Sequence, residues 1–294
     1  MASIIHQSQG AFVRGRELLY NILIYHDIAR GYQRKHISPR CILKIDLQKA
    51  FDSIQWDFIR EMLESLKFPA VLTKWVMRSV TSVNFKIHIN GQDQRRFNRG
   101  RGLIQGDLLS PLLFVICMEY FARLMHLVGQ EKDFKFHPQR QKLRLTYLMF
   151  IDDLIMFCKA GLKSLQHIMQ TLQKFHDCLG LKGNIQKSQM VFGGTSHDLQ
   201  TKYMEVTGLS ECSLSLKYLG VPVTASRLTK MECRGLVEKI IAKVNVWATI
   251  SFSFTGRAVL INSVLFGMYS SWASIFILPV DVVDTIIKIC RNYL

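Results

Sequence analysis

Apolar and polar positions follow two rhythms along this chain. Short apolar runs rich in β-formers occupy 41–47, 145–150, 154–158 and 189–192, while Phe85, Ile87 and Ile89 alternate with polar residues up to Asn90-Gly91, a strong hairpin signal. Elsewhere the apolar residues recur at three-to-four spacing. Trp56, Ile59, Met62, Leu63 and Leu66 predict a helix over 55–67, stopped by Phe68-Pro69, and similar patterns predict helices over 70–82, 112–128, 165–179 and 198–206. A helical pattern also runs through Leu18, Leu19, Ile22 and Leu23. Beyond residue 195 the character changes, with a short strand around 218–223 and three further helices near 229–249, 256–270 and 281–293. The pattern therefore predicts an α+β chain, with a strand-bearing region at 41–194 between a short leading segment, 1–40, and a mainly helical region, 195–294.

Several polar residues interrupt these rhythms. The run around 145–158 holds Asp152-Asp153 between two stretches that read as strands, so two carboxylates sit at a hairpin tip. Two anions about 4 Å apart repel by a few kcal/mol at a protein surface, which favours a cation between them; a solvated turn that happens to contain two Asp residues is the plain alternative. Asp46, near the end of the buried run 41–47, is costly there unless paired or bound to metal. Asp52, by contrast, has the position of a helix cap. Gly102 and Gly106 flank Gln105 closely enough for a backbone or base to approach, and Ser110-Pro111 has the chemistry of a helix start. Arg95, Arg96, Arg99 and Arg101, with Phe97 between them, suit a phosphate backbone or equally a solvated basic loop. Arg14 and Arg16 flank a glycine, and Lys187 follows a Gly183-Asn184 turn.

Composition narrows the classes. The 294 residues, 49% hydrophobic and 20% charged, are those of a globular protein, and 38 Lys and Arg against 22 Asp and Glu give +16, suited to a polyanionic partner. The seven cysteines are scattered, with no C-x-x-C pair, which argues against a zinc site or disulfide framework and for a reducing compartment. No secretory signal is evident. The expected location is intracellular, nuclear or cytoplasmic, with organelle targeting left open by a weakly transit-like start. Residues 258–280 lack charge over a membrane-spanning length, but the polar Asn262, Ser263, Ser270, Ser271 and Ser274 favour buried helices of a soluble domain, with no membrane partner.

Taken in order, these features resemble the reverse transcriptase domain of LINE-type (non-LTR) retrotransposons, especially those of plants. Gln9-Gly10-Ala11-Phe12-Val13-Arg14-Gly15-Arg16 resembles the entry from fingers to palm, 44–52 motif A, Gly102 to Pro111 motif B, Phe150-Ile151-Asp152-Asp153 motif C, Gly180 to Ser188 motif D, and Tyr218-Leu219-Gly220-Val221-Pro222 the motif beyond it. The resemblance covers nearly the whole chain and departs at Ile151, in place of a small residue, at Leu108, in place of proline, and at Ile104 and Gly183. It implies a right-hand polymerase: fingers remnant at 1–40, palm with antiparallel sheet at 41–194 backed by the helices at 55–67 and 112–128, and a thumb- or connection-like helical region at 195–294. The endonuclease, most of the fingers and the C-terminal segments of such elements are not within this sequence.

By the same resemblance the function is RNA-directed DNA polymerisation by two-metal nucleotidyl transfer. Asp46, Asp152 and Asp153 would be catalytic and would hold two Mg²⁺, or Mn²⁺, roughly 3.5–4 Å apart. Phe51 would select deoxynucleotides, Gln105 and Gly106 would support nucleotide and template, and Lys187 and Arg16 would meet phosphates. The partners implied are an RNA template, a DNA primer and dNTPs. A catalytically inactive relic that only binds nucleic acid is the alternative. A palm-fold nucleotide cyclase fits the Gln105 loop poorly.

Overall fold

The computed structural model describes residues 4–32, 34, 37–90, 92–181, 183–212, 216–218, 221–223 and 228–294. The chain forms two compact units, one of Met1–Asn21 and Gln33–Ser213, the other of Ile22–Tyr32 and Leu214–Leu294.

The first unit is built on a five-stranded sheet. Along the chain come α1 (Leu18–Ala29, whose residues from Ile22 belong to the second unit), β1 (Arg40–Asp46), α2 (Ala50–Ser53), α3 (Trp56–Ser65), α4 (Ala70–Thr81) and the hairpin of β2 (Asn84–Ile89) and β3 (Gln92–Asn98). Then follow α5 (Ser110–Val128), β4 (Tyr147–Phe150), β5 (Asp153–Lys159), α6 (Leu162–Leu179), β6 (Gln189–Gly193), α7 (His197–Thr207) and β7 (Ser210–Glu211). The sheet order is β4-β5-β1-β6-β7, antiparallel except for the final pair. The β2–β3 hairpin turns at Asn90, which has a φ of 49°, as the Asn-Gly pair predicts; Gly91 lies outside the described residues.

Strand periodicity divides the sheet into two faces. Cys41, Leu43 and Ile45 of β1, Leu154, Met156 and Cys158 of β5, Met190 and Phe192 of β6 and Tyr147 and Met149 of β4 all enter one hydrophobic core with the apolar sides of α3, α5 and α6. Phe121 of α5 ties this together, meeting Tyr147 at 5.4 Å and Phe175 of α6 at 5.1 Å, both edge to face. The backing helices are thus α5 and α6, with α3 packed against α5, rather than the helices at 55–67 and 112–128 alone. An amphipathic pattern says that a helix buries one face, not which neighbour covers it. Among the described residues α5 is long and apolar enough to cross a membrane; here it is a core helix, with Phe114, Val115, Cys117, Met118 and Phe121 fully buried.

In the second unit the described elements after residue 214 are β8 (Leu216–Tyr218) and β9 (Val221–Val223), which pair antiparallel, followed by α8 (Arg234–Ala248), α9 (Phe254–Leu260), a π-helical turn (Ile261–Leu265), α10 (Phe266–Ala273) and α11 (Val280–Tyr293). Leu219 and Gly220, part of the motif quoted above, lie outside the described residues. The uncharged stretch 258–280 is divided into short helical pieces, and only Leu265, Trp272, Phe276 and Leu278 within it are buried. It is less buried than its composition suggests. The serines at 263, 270 and 274 bond back to carbonyls three or four residues earlier, so these three hydroxyls are satisfied locally.

Candidate active site

The acidic hairpin forms where the sequence placed it. Phe150 and Asp153 are the last pair of β4 and β5, leaving Ile151-Asp152 as a two-residue turn. Only the first of these has a positive φ, 56° at Ile151, a conformation that ordinarily takes glycine in a two-residue hairpin turn. A β-branched residue in the left-handed region is a strained one, retained because both flanking strands are buried on either side of it.

Beside this hairpin runs β1, whose register sets Asp46 directly opposite Asp153. Opposed residues of antiparallel strands have Cβ atoms about 4.5–5.5 Å apart and point to one face. That face is the one turned away from α5 and α6, because Ile45 and Leu154, one position away, are in the core. A slip of one residue would bury both carboxylates among methyl groups. Lys44 lies on the same face, two residues before Asp46, and is half-buried.

Beyond Lys44, β1 has no further partner in β6, whose ladder ends at Gln189. The loop before β6 takes over. Asp46 donates its N–H to Ser188 Oγ at 3.1 Å, its carbonyl accepts from the Asn184 N–H at 2.7 Å, and Leu47 bridges to Gly183. Ser188 is fully buried and accounts for the fixed end of β1; only its place just ahead of an apolar strand hints at this. Lys187 is exposed on the same turn, its N–H held by the Asn184 carbonyl at 3.1 Å.

Charge at the hairpin is unbalanced. Burial holds the Asp153 carboxyl above the usual carboxylate range, the Asp152 and Asp46 carboxylates push it further up, and Lys44 opposes them. Three hard oxygen donors whose mutual repulsion a cation would relieve fit a divalent ion of the magnesium type. Among the described residues no three His, Cys, Asp or Glu side chains are gathered closely enough to hold a metal by themselves. Such an ion would complete its shell from water and substrate oxygens, as magnesium sites commonly do.

Phe51, on α2 just past Asp46, is half-buried and stacks on Phe114 of α5 with ring centroids 4.8 Å apart. The glycine loop is tied to this same corner. Leu103 N–H donates to the Phe51 carbonyl and Gly102 N–H to that of Ile54, each at 2.7 Å, while Trp56 Nε1 donates to the Gly102 carbonyl at 2.8 Å. Gly102 has a φ of 89°, and a Cβ there would lie 2.6 Å from the Asp52 carbonyl oxygen. Past this anchor Gln105 and Gly106 are exposed, with open space around Gly106. The helix start differs from expectation: Ser110 is already helical, and Asp107 Oδ2 accepts both its N–H and its hydroxyl at 3.2 Å. A carboxylate reaches one turn forward more readily than the shorter serine side chain.

The arginines separate. Arg99 pairs with Asp52, lies over the Phe85 ring at 5.2 Å and reaches the Leu103 carbonyl at 3.4 Å, so it knits the glycine loop to α2. Arg101 is exposed; Arg95 and Arg96 lie in β3, and their side chains fall outside the described residues. Arg16 donates to three backbone carbonyls of the leading segment, those of Ile5 and His6 at 2.5 Å and of Gln9 at 2.8 Å.

A family model described as reverse transcriptase (RNA-dependent DNA polymerase) matches residues 1–223. The chain belongs to the reverse transcriptase family. Enzymes of the family generally use divalent metal ions, in keeping with the carboxylates assembled here. Over 275 residues the chain is 24% identical to the Transposon TX1 uncharacterized 149 kDa protein of Xenopus laevis, covering 90% of this chain and 20% of that one. It is 27% identical over 210 residues to the Pol polyprotein of the type-2 retrotransposable element R2DM of Drosophila melanogaster, covering 68% and 19%. The chain thus spans about a fifth of the length of these relatives, which are of the non-LTR retrotransposon type. Among solved structures, telomerase of Candida tropicalis in complex with a TWJ fragment of telomeric RNA matches 98% of this chain and 42% of its own, with a TM-score of 0.53 at 12% identity. The apo enzyme truncated from its C-terminal domain matches 75% and 40% with a TM-score of 0.51, also at 12% identity. At that identity the likeness is one of fold. The antiparallel sheet with helices behind it and an acidic turn at its edge is a polymerase palm.

Proposed function

We propose that this reverse transcriptase domain copies an RNA template into DNA, adding deoxynucleotides from their triphosphates to a primer 3′ end inside the cell. The observation that carries the reading is Asp46 facing Asp153 across β1 and β5, with Asp152 beside them at an exposed turn. In the reaction the primer O3′ bonds to the α-phosphorus of the incoming nucleotide as the bond to the pyrophosphate oxygen breaks and the 3′-hydroxyl proton passes to water; no covalent protein intermediate is involved. Two Mg²⁺, or Mn²⁺, held by the three carboxylates would supply charge neutralisation for the triphosphate and the departing pyrophosphate.

The remaining residues position. Phe51 follows Asp46 by five residues, its ring stacked on Phe114 and its carbonyl held by the Leu103 N–H, and it suits exclusion of a ribose 2′-hydroxyl. Gln105 and Gly106, in an open loop anchored at Gly102, suit the forming base pair, and Lys187 faces solvent on the turn that secures Asp46, where an ammonium would meet triphosphate oxygens. The net charge of +16, with Arg95, Arg96 and Arg101 shortly before the loop in the sequence, suits template and primer phosphates.

The test is primer extension on an RNA template with dNTPs and Mg²⁺. The wild type should make template-dependent DNA, and Asp152→Asn should lower the rate by at least about 10³-fold, about 4 kcal/mol of transition-state stabilisation. Equal product from the Asn variant would remove the site assignment. Tight RNA binding with no extension by the wild type would identify a non-catalytic binding domain instead.

A further inference from the structure

We infer that Arg16 and Asn21 form a clasp that positions the catalytic hairpin, Arg16 acting as a positioning residue for nucleotidyl transfer and not as a phosphate ligand; the catalytic part of this rests on the function proposed above. The hairpin's outer strand, β4, is paired on both edges. On one side lies β5. On the other, Gly10 N–H donates to the Met149 carbonyl and Met149 N–H to the Ser8 carbonyl, both at 3.0 Å, so that Gln9 forms a parallel bridge with Met149. Met149 is two residues before the strained Ile151 and three before Asp152.

What holds residues 8–10 in place is side-chain chemistry. The Arg16 guanidinium gathers the carbonyls of Ile5, His6 and Gln9, closing the loop around that edge, as a planar fork of donors does more readily than a single ammonium. Asn21, buried to 4% exposure, donates Nδ2 to the same Met149 carbonyl at 3.0 Å. It stands against Gly10 so closely that a Cβ there would lie 2.7 Å from Asn21 Nδ2. A second anchor lies at the start of the loop: the His6 N–H donates to Glu119 Oε2 of α5 at 2.8 Å, and Tyr147 of β4 stands 3.1 Å from His6 Nδ1 through its hydroxyl. The loop therefore bridges the core helix and the hairpin strand. A guanidinium engaged by three carbonyls of its own loop is occupied in holding that loop. Loosening it frees one edge of β4 and lets the Asp152 turn move relative to Asp46.

The experiment compares wild type, Arg16→Gln, Arg16→Lys and Asn21→Ala in RNA-templated extension normalised to burst amplitude, with amide exchange at Gly10 and Met149. A positioning clasp predicts that Arg16→Gln and Asn21→Ala both lose about 10- to 100-fold in kcat with dNTP KM within about twofold of wild type. It also predicts a rise of about tenfold in the Mg²⁺ concentration for half-maximal rate, partial retention in Arg16→Lys, and faster exchange at both amides. Loss of folded protein alone would move neither the normalised kcat nor the Mg²⁺ dependence. A large rise in dNTP KM in the Arg16 variants alone, with exchange and the Asn21→Ala enzyme unchanged, would overturn the clasp in favour of a phosphate contact. Unchanged exchange in every variant would overturn it as well. Should Arg16→Gln fail to fold, Arg16→Lys and Asn21→Ala carry the comparison. Absence of synthesis by the wild type would sink the proposed function, while the exchange data would still decide the clasp.

Discussion

The positive φ of Ile151 has an unusual consequence for stability. Replacing a residue by glycine ordinarily costs about 0.5–1 kcal/mol more than replacing it by alanine, because glycine loses more backbone freedom on folding. An L-residue forced into the left-handed region pays about 1–2 kcal/mol that glycine does not. With φ at 56°, Ile151 belongs to the second case, so Ile151→Gly should be more stable than Ile151→Ala by about 0.5–1 kcal/mol. Both variants lose the half-buried isoleucine side chain, worth about 1 kcal/mol, which the Ala variant loses with no strain relieved in return. The Ala variant therefore falls by about 1 kcal/mol, and the Gly variant by about half of that or less. Urea unfolding read by hydrogen exchange in peptides covering 147–159 isolates the hairpin from the helical unit, and an unchanged slope certifies the comparison. Ala more stable than Gly would refute the strained turn.

Other consequences concern the same corner. Gly102→Ala should destabilise the first unit by about 2 kcal/mol or more, since a Cβ would meet the Asp52 carbonyl at a φ of 89°; an unshifted urea midpoint would contradict the anchoring of the glycine loop. Asp153 has its carboxyl raised in the folded state, so the native protein binds that proton more tightly than the unfolded chain and stability falls as pH rises through this window. Asp153→Asn should thus unfold at higher urea than wild type at pH 7 while losing synthesis, with the gain shrinking as pH falls into the ordinary carboxylate range; no gain at pH 7 would contradict the stated burial and repulsion. Lys44→Met should move the acidic limb of the pH–rate profile to higher pH, because Lys44 opposes the upward push on Asp153; a downward move would contradict it.

The elements of the first unit were legible because strand and helix rhythms do not overlap there, and the acids of the site were legible because charge inside apolar runs is costly. Position in space was not. Nothing in the spacing says that β1 and β5 pair with Asp46 against Asp153, since register depends on which faces meet the core. Nor does an apolar stripe on 165–179 disclose that this helix backs the sheet. The arginines were the least legible. Arg99 finds Asp52 across 47 positions and Arg16 spends its donors on backbone, pairings a long flexible cation makes only once the loops are closed. Asp107 replaced Ser110 as the cap of α5 for a reason of reach that residue type alone does not express.

The central claim, that Asp46, Asp152 and Asp153 together hold divalent ions for nucleotidyl transfer, is tested most directly by asking where an ion sits. Fe²⁺ in place of Mg²⁺, with ascorbate and peroxide in the presence of RNA template, DNA primer and a dNTP, generates hydroxyl radicals at the bound ion and cuts the chain nearby. Cuts clustered around residue 46 and residues 150–153, competed away by Mg²⁺ and absent from Asp46→Asn, are the predicted result. Cleavage that lies elsewhere, or that persists unchanged in Asp46→Asn, would contradict it.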